Sequence, residues 1–492
     1  MSERYLIGID IGTTGTKAIL FEEGGKPVAH AYRGYTLSTP AVGRSEHDAE
    51  GYVTAVKETV REVCEGRGIS DKVAAIAFST QGGTLIPVDE AGTPVRPAVV
   101  WNDHRCTAEK QAYLQEVGDA ATLYEKTGWK LGTGLPLLTV RHLKDNEPEV
   151  FAKTARFLSV PDFVALRLTG RAAIDLSNAG INQLTDIRKG AHDKTLLSFA
   201  GIEEGMLPDL VPSGDVIAPL SKEGASLLGL SEKTLLVSGA HDQYAVALGT
   251  GASRAGDILI GSGTCWVVTA IGDSPDFESG LAQSVAAAKG LWGSLSSLSS
   301  GGVCLEWLRK NIATADGETF IDFKTLDAEA AKRQAAFDGL FFIPFSGRHE
   351  NGRFTKASFT GLDLSHDRFH MARAVMEGVV FQILWFMEAF KTQPDEKKGI
   401  TLAGGASKSA VWTQMLADIS GLPVRTPALP DLACVGAAIL AGVGAGLYED
   451  ARAGYARFAS AEKVIAPNME AHEKYKAAFA EYKAVANAIG SK

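Results

Sequence analysis

The chain predicts an α/β fold built from two related halves, and three observations point to it. The N-terminus reads as a strand, Tyr5-Leu6-Ile7-Gly8, a Gly/Thr turn and a return strand, Ala18-Ile19-Leu20-Phe21. Near the middle, Asp257-Ile258-Leu259-Ile260 runs through Gly261-Ser262-Gly263-Thr264 into Cys265-Trp266-Val267-Val268 and repeats that theme. Between and after them, β-prone runs alternate with segments of helical spacing along 492 residues, a length that favours at least two domains.

The opening turn, Ile9-Asp10-Ile11-Gly12-Thr13-Thr14-Gly15-Thr16-Lys17, is the most informative stretch. Gly12 and Gly15 allow positive φ and close approach of a ligand, and the hydroxyl residues between them leave donors free for a phosphate. Asp10 at the strand end can hold a metal through a water shell. The plain alternative is a hairpin that binds nothing. A Walker A loop is excluded by the spacing to Lys17, and the dinucleotide fingerprint by the β-prone residues that follow Gly15.

The other elements follow in order. Ala49 to Cys64 places Tyr52, Val53, Val56, Val60 and Val63 on one side of a helix, with Asp48 as its N-cap. Val73–Phe78 and Ala98–Trp101 read as buried strands, the second ending at Asn102-Asp103-His104-Arg105, and Asp162–Leu168 reads as a helix. Thr234–Gly239 is a strand leading into Ala240-His241-Asp242-Gln243. Phe369–Phe390 is a long helix, Gly399–Ala403 a strand entering Gly404-Gly405-Ala406-Ser407, and Val411–Ile419 the next helix. Val435–Ala445 is small and apolar, as in a tightly packed helix. The expected division is an N-terminal domain over 1–250 and a C-terminal domain over 251–492, meeting at a packed hinge near Thr250.

Composition is that of a globular protein, with 45% hydrophobic and 22% charged residues. A net charge of −9 without a basic block argues against a nucleic-acid partner. No apolar run is long enough to span a membrane, and no signal peptide is read before Tyr5. The five cysteines, Cys64, Cys106, Cys265, Cys304 and Cys434, are odd in number and contain no Cys-x-x-Cys pair. They fit a reduced interior, and a cytoplasmic protein is expected.

Four ordered motifs resemble the FGGY family of carbohydrate kinases. Gly8–Lys17 is similar to the family's first phosphate motif, and Gly261-Ser262-Gly263-Thr264 to its second. Gly404-Gly405-Ala406-Ser407-Lys408-Ser409, followed by Trp412, is similar to its adenosine motif. Ala357–Leu362 with His370–Glu377 resembles its C-terminal signature. The other signature fits poorly over Pro136–Asn146, where the usual Lys falls at Thr139 and the usual Trp at His142, and Ala406 replaces a third glycine. The resemblance implies two ribonuclease-H-like domains, as in actin and hexokinase, with a cleft that closes around ATP and sugar. It implies ATP and Mg²⁺ as cofactors, a small-molecule sugar as partner, and allows a homodimer.

On that resemblance Asp242 is the catalytic base, since phosphoryl transfer to a neutral hydroxyl is helped by a carboxylate that takes its proton. The alternative for Asp242 is capping of the following helix; His241 is a second candidate base. Asp10 would hold Mg²⁺. Gly12, Thr13, Thr14 and Lys17, with Gly263 and Thr264, would face the phosphates, although Lys17 also reads as a solvated strand residue. Gly404, Gly405, Ala406 and Ser409 would bound the adenosine slot. The sugar would meet Gln81, Gly82, Gly83, Asp103 and Gln243. Gly82 and Gly83 stand where xylulose kinases carry Met-His and glycerol kinases Arg-Glu, which implies a roomier contact loop. Asn102, Asp103 and Arg105 match a Trp-x-Asp-x-Arg element that lines or braces the sugar pocket, or form a salt-bridged strand end. The expected activity is ATP-dependent phosphorylation of a ketose, with a pentulose such as xylulose first. Hexulose, erythritol and glycerol kinases, and a non-catalytic actin-fold sugar sensor, are the alternatives.

Overall fold

The computed structural model describes residues 4–312, 320–334, 336–345, 356–459 and 462–490. The chain divides into two compact units. One comprises Met1–Ser253, Asp273–Gly293 and Leu429–Ala459; the other comprises Arg254–Gly272, Ser294–Ala428 and Ser460–Lys492. The contiguous halves 1–250 and 251–492 leave out this interleaving, in which two later segments return to the first unit.

The first unit is built on a six-stranded sheet ordered Val216–Pro219, Leu235–His241, Val73–Thr80, Tyr5–Ile11, Gly15–Glu22 and Pro27–Gly34. The opening hairpin is antiparallel, with Asp10 opposite Lys17, and the Tyr5–Ile11 strand runs parallel to Val73–Thr80 with Asp10 beside Ser79. Leu235–His241 lies parallel on the far side of Val73–Thr80. The ends of these three parallel strands therefore deliver Asp10, Ser79-Thr80 and His241-Asp242 to one edge of the sheet.

The helix Ala49–Cys64 starts at Asp48, whose carboxylate accepts the Glu50 N–H at 3.1 Å, and buries Tyr52, Val53, Val56, Val60 and Val63. Burial of each such side chain is worth about 1.5–3 kcal/mol. The small apolar helix Leu432–Gly444 packs on the same sheet, because glycines let backbones touch. A Cβ on Gly8 would lie 1.8 Å from the Cys434 carbonyl oxygen. One on Gly436 would lie 1.9 Å from that of Ala245, and one on Gly249 would lie 2.0 Å from that of Leu432. This close packing fixes Asp431, at the helix start, beside the opening hairpin.

The second unit repeats the theme. Ile258–Ser262 pairs antiparallel with Trp266–Gly272 and parallel with Ile400–Gly404, so that Ser262 lies beside Gly404. Val424–Thr426 and Lys463–Ile465 extend the sheet outward. The helix Arg368–Met387 carries Ala374, Val375, Gly378 and Val379 on its buried face, and Ala410–Ser420 follows the Gly404 turn. Among the described residues, no helix is long and apolar enough to cross a membrane.

Candidate active site

The opening hairpin differs from its sequence reading at its glycines and at Thr13, whose hydroxyl donates to Gln81 instead of standing free for a phosphate. Neither Gly12 nor Gly15 has positive φ. At Gly15 a Cβ would lie 2.4 Å from the hydroxyl of the half-exposed Tyr32, whose ring would have to swing aside. The turn closes through Gly12 N–H to the Gly15 carbonyl at 3.0 Å, and Thr14 points its side chain to solvent.

Asp10 is half-buried at the end of its strand, and Ser79 Oγ donates to its Oδ1 at 2.8 Å. Loss of water around it raises its pKa from 3.8 to about 7. The Ser79 hydrogen bond opposes that rise, the charges of Asp431 and Asp242 add to it, and Lys17 offsets part of it. Lys17 is a partly solvated strand residue, as one of its two readings has it, and its Nζ also lies 2.6 Å from Asp431 Oδ2. The charges of Asp431 and Asp242 reach Asp10, although the three carboxylates do not close into one tight ligand cluster. Asp10 is the carboxylate that would hold a hard divalent cation such as Mg²⁺ through water, the cation taking over the role of its proton.

Gln81 is 3% exposed and acts as a brace. Its Oε1 accepts from Thr13 Oγ1 at 3.1 Å, and its Nε2 donates to Tyr52 Oη at 3.0 Å and to the Gly12 carbonyl at 3.4 Å. Thr13 Oγ1 in turn accepts from the half-exposed Trp101 Nε1 at 3.1 Å. The side chains of Gln81 and Thr13 thus tie the opening hairpin to the Trp101 loop, a role the sequence reading missed.

The roomier loop expected at Gly82 and Gly83 is not there. A Cβ on Gly82 would sit 2.7 Å from His241 Cδ2 and 2.8 Å from Ile181 Cγ2. One on Gly83, where φ is +76°, would sit 3.0 Å from Leu135 Cδ2 and 3.2 Å from Trp101 Cβ. Side chains from distant positions fill the volume that two glycines release. Gly82 brings the His241 ring against the backbone, and the Trp129 ring stands 6.2 Å from it, centroid to centroid.

Asp242 opens the helix Asp242–Gly249 as its first residue, with His241 in the N-cap position. Its carboxylate makes no cap hydrogen bond. Oδ1 accepts from Gln243 Nε2 at 3.1 Å and lies 3.5 Å from His241 Nδ1, and the side chain is 34% exposed. His241 Nδ1 is buried without a hydrogen-bond partner. Its backbone N–H donates to Ser177 Oγ at 2.8 Å, which anchors the strand end. A partly exposed carboxylate at a helix N-terminus, flanked by an imidazole and an amide, can accept a proton from a bound hydroxyl.

Asp103 is placed differently. It is 1% exposed, its Oδ2 accepts the Ser45 N–H at 2.7 Å, and both of its oxygens bind Arg105. Burial pushes its pKa up, but Arg105 and the Ser45 N–H outweigh burial and hold it below the usual carboxylate value. Arg105 also binds Glu46 at 2.7 Å. The structure therefore shows the salt-bridged strand end, which braces the Trp101 loop.

In the second unit, Gly263, Thr264, Gly405, Ala406 and Ser409 line one cavity of about 900 Å³, together with Trp412. That volume suits a drug- or nucleotide-sized ligand, and much of the lining is apolar, as a flat base requires. Gly404 has φ +95°, and a Cβ there would lie 2.7 Å from the Ser262 carbonyl oxygen, so this glycine is fixed by the backbone. Gly405 is exposed, and its Cβ would meet only the Ser262 oxygen, at 3.4 Å, so it is the position that keeps the slot open. Ser409 caps the next helix, accepting the Trp412 N–H at 3.0 Å.

Comparison with known proteins converges on one family. Residues 5–249 match the N-terminal domain, and residues 257–445 the C-terminal domain, of the FGGY family of carbohydrate kinases. The chain is 29% identical over 446 residues to a gluconokinase of Bacillus subtilis, covering 89% of this chain and 86% of the relative. It is 28% identical over 487 residues to a xylulose kinase of the same organism, covering 98% and 96%. A ligand-bound xylulose kinase from Lactobacillus acidophilus superposes with a TM-score of 0.90 at 27% identity, over 99% of each chain.

Proposed function

Because the chain belongs to the FGGY family of carbohydrate kinases, with the actin- and hexokinase-like ATPase fold, and is therefore an enzyme that phosphorylates sugars, we propose that it transfers the terminal phosphoryl group of ATP to a hydroxyl of a neutral ketose, a pentulose such as xylulose. The observation that carries this reading is the Asp242 carboxylate, free of any capping duty and a third exposed.

In this reading Asp242 takes the proton of the attacking hydroxyl, and Gln243 orients both the carboxylate and the sugar. Gln81 and Thr13 hold the Gly12–Gly15 turn in shape, so its N–H groups and Thr14 meet phosphate oxygens. Asp10 holds Mg²⁺ through water, and the cation supplies charge neutralisation on the phosphates. The 900 Å³ cavity of the second unit takes adenine and ribose over Gly405 and Ala406, with Gly263 and Thr264 facing phosphate. In this division of labour the first unit, which includes the returning segment Leu429–Ala459, binds sugar and phosphate, and the second binds the nucleoside.

A gluconokinase relative at 29% identity makes an aldonate the second reading. An aldonate needs a cation to meet its carboxylate. Arg105, the cation of the Trp-x-Asp-x-Arg element, is already committed to Asp103 and Glu46. This favours a neutral sugar. Release of ADP from Mg·ATP, measured across D- and L-xylulose, ribulose, fructose, erythritol, glycerol and gluconate, tests the reading. A pentulose is expected to give the highest kcat/KM. Preference for gluconate would overturn the neutral-ketose assignment.

A further inference from the structure

Away from these carboxylates, Cys106, Glu109 and His142 come together in the first unit. Each offers one ligand atom, and these atoms all lie within 4.8 Å of one another. Cys106 directly precedes the helix Thr107–Glu116, and Glu109 sits on that helix one turn later, facing the same way. His142 comes from the helix Pro136–Asn146. His142 Nδ1 lies 2.8 Å from Glu109 Oε1, which also accepts from Asn146 Nδ2 at 2.9 Å. Glu109 is 4% exposed, and its other oxygen, Oε2, is buried with no hydrogen-bond partner. An unpartnered buried carboxylate oxygen is costly and calls for an occupant.

We propose that Cys106, Glu109 and His142 form a binding site for a borderline divalent cation, Zn²⁺ being the natural one. Sulfur, nitrogen and oxygen in one set select Zn²⁺ or Co²⁺ over Mg²⁺ or Ca²⁺. Ligand atoms around a tetrahedral ion with bonds of about 2.0–2.3 Å stand roughly 3.5 Å apart. Metal uptake therefore opens the 2.8 Å contact of His142 Nδ1 with Glu109 Oε1 and draws the Cys106 thiol from Thr139 Oγ1, to which it donates at 3.8 Å. The cation displaces the thiol proton of Cys106 to solvent, takes Glu109 Oε2 and one imidazole nitrogen of His142, and keeps a water in the fourth position. Burial pushes the Cys106 thiol up to about 12, so without a metal it stays protonated and inert. The bound ion would clamp the two helices and steady Arg105, the immediate neighbour of Cys106. Nothing in the phosphoryl-transfer scheme uses these three residues.

The test uses the full-length protein, stripped with a chelator and titrated with Co²⁺ and then Zn²⁺. One equivalent of Co²⁺ is expected, with a thiolate-to-cobalt charge-transfer band in the near ultraviolet that Zn²⁺ abolishes. Cys106→Ser should remove the band, and Glu109→Gln and His142→Gln should each weaken binding by more than about tenfold, the scale at which even outer-shell changes act. Cys265→Ser, which alters the exposed thiol, should leave the band intact. Absence of stoichiometric uptake by the wild-type protein overturns the site, as does a band that survives Cys106→Ser or disappears in Cys265→Ser. Were Cys106→Ser to fail to fold, unchanged Co²⁺ affinity in a folded His142→Gln protein would overturn it equally.

Discussion

At Asp10, a single carboxyl joins the chemistry to pH. Its pKa of about 7 in the folded protein stands above 3.8, so the folded state keeps a proton that the unfolded chain releases. The Asp10 contribution to stability is therefore full below about pH 4 and is lost as pH rises through 7. A cation that replaces the proton reverses this preference. Mg·ATP affinity should rise with pH through 7 and binding should release a fraction of a proton, read by calorimetry in buffers of different ionisation enthalpy; in Asp10→Asn the release should disappear. Gly82 offers a second test at this scale. Gly82→Ala drives a methyl group into the His241 ring, beside Asp242. It should lower stability by about 1–3 kcal/mol in thermal melts and depress kcat as well. Wild-type values for both would contradict the close packing. That packing could not be read from the sequence, because the glycine pair shows only what is missing locally, while Ile181 and His241 arrive from far along the chain.

The strand–turn–strand element was legible in both of its copies. Alternating apolar residues and glycine position both hairpins, and the spacing of Tyr52, Val56, Val60 and Val63 places the helix Ala49–Cys64 at its observed ends. What these turns do with their glycines was less legible. Gly15 has no positive φ and faces the half-exposed Tyr32, whereas Gly404 has both positive φ and the neighbouring strand against it. The two residues of the Gly404-Gly405 turn are thus separable. Gly405→Val should fold normally and weaken ATP binding at least about tenfold by filling the slot, a loss of about 1.4 kcal/mol, measured by equilibrium titration. Unchanged affinity would remove adenosine from that slot. Asp103 shows the limit of motif matching: the motif left lining and bracing of the sugar pocket open, and Arg105 and Ser45 occupy its oxygens, which supports bracing.

Across the whole molecule, fold and family were readable because four motifs recur in order, and the matches over residues 5–249 and 257–445 agree with them. The interleaving of the two units was not readable. The helix Leu432–Gly444 joins the first unit through carbonyl contacts at Gly8, Gly249 and Gly436, and no periodicity reveals those partners. The ion pair of Lys17 with Asp431 depends on the same packing and was hidden for the same reason. The chemistry nevertheless converges on one carboxylate, Asp242, and the most direct measurement addresses it alone. Turnover of ATP with the preferred ketose is to be compared in wild type and Asp242→Asn, with Mg·ATP affinity measured on both. Turnover should fall by about 10²–10⁴-fold while nucleotide affinity changes less than about threefold, since Asp242 contacts the sugar hydroxyl in this scheme. An Asp242→Asn enzyme that turns over near the wild-type rate would contradict it.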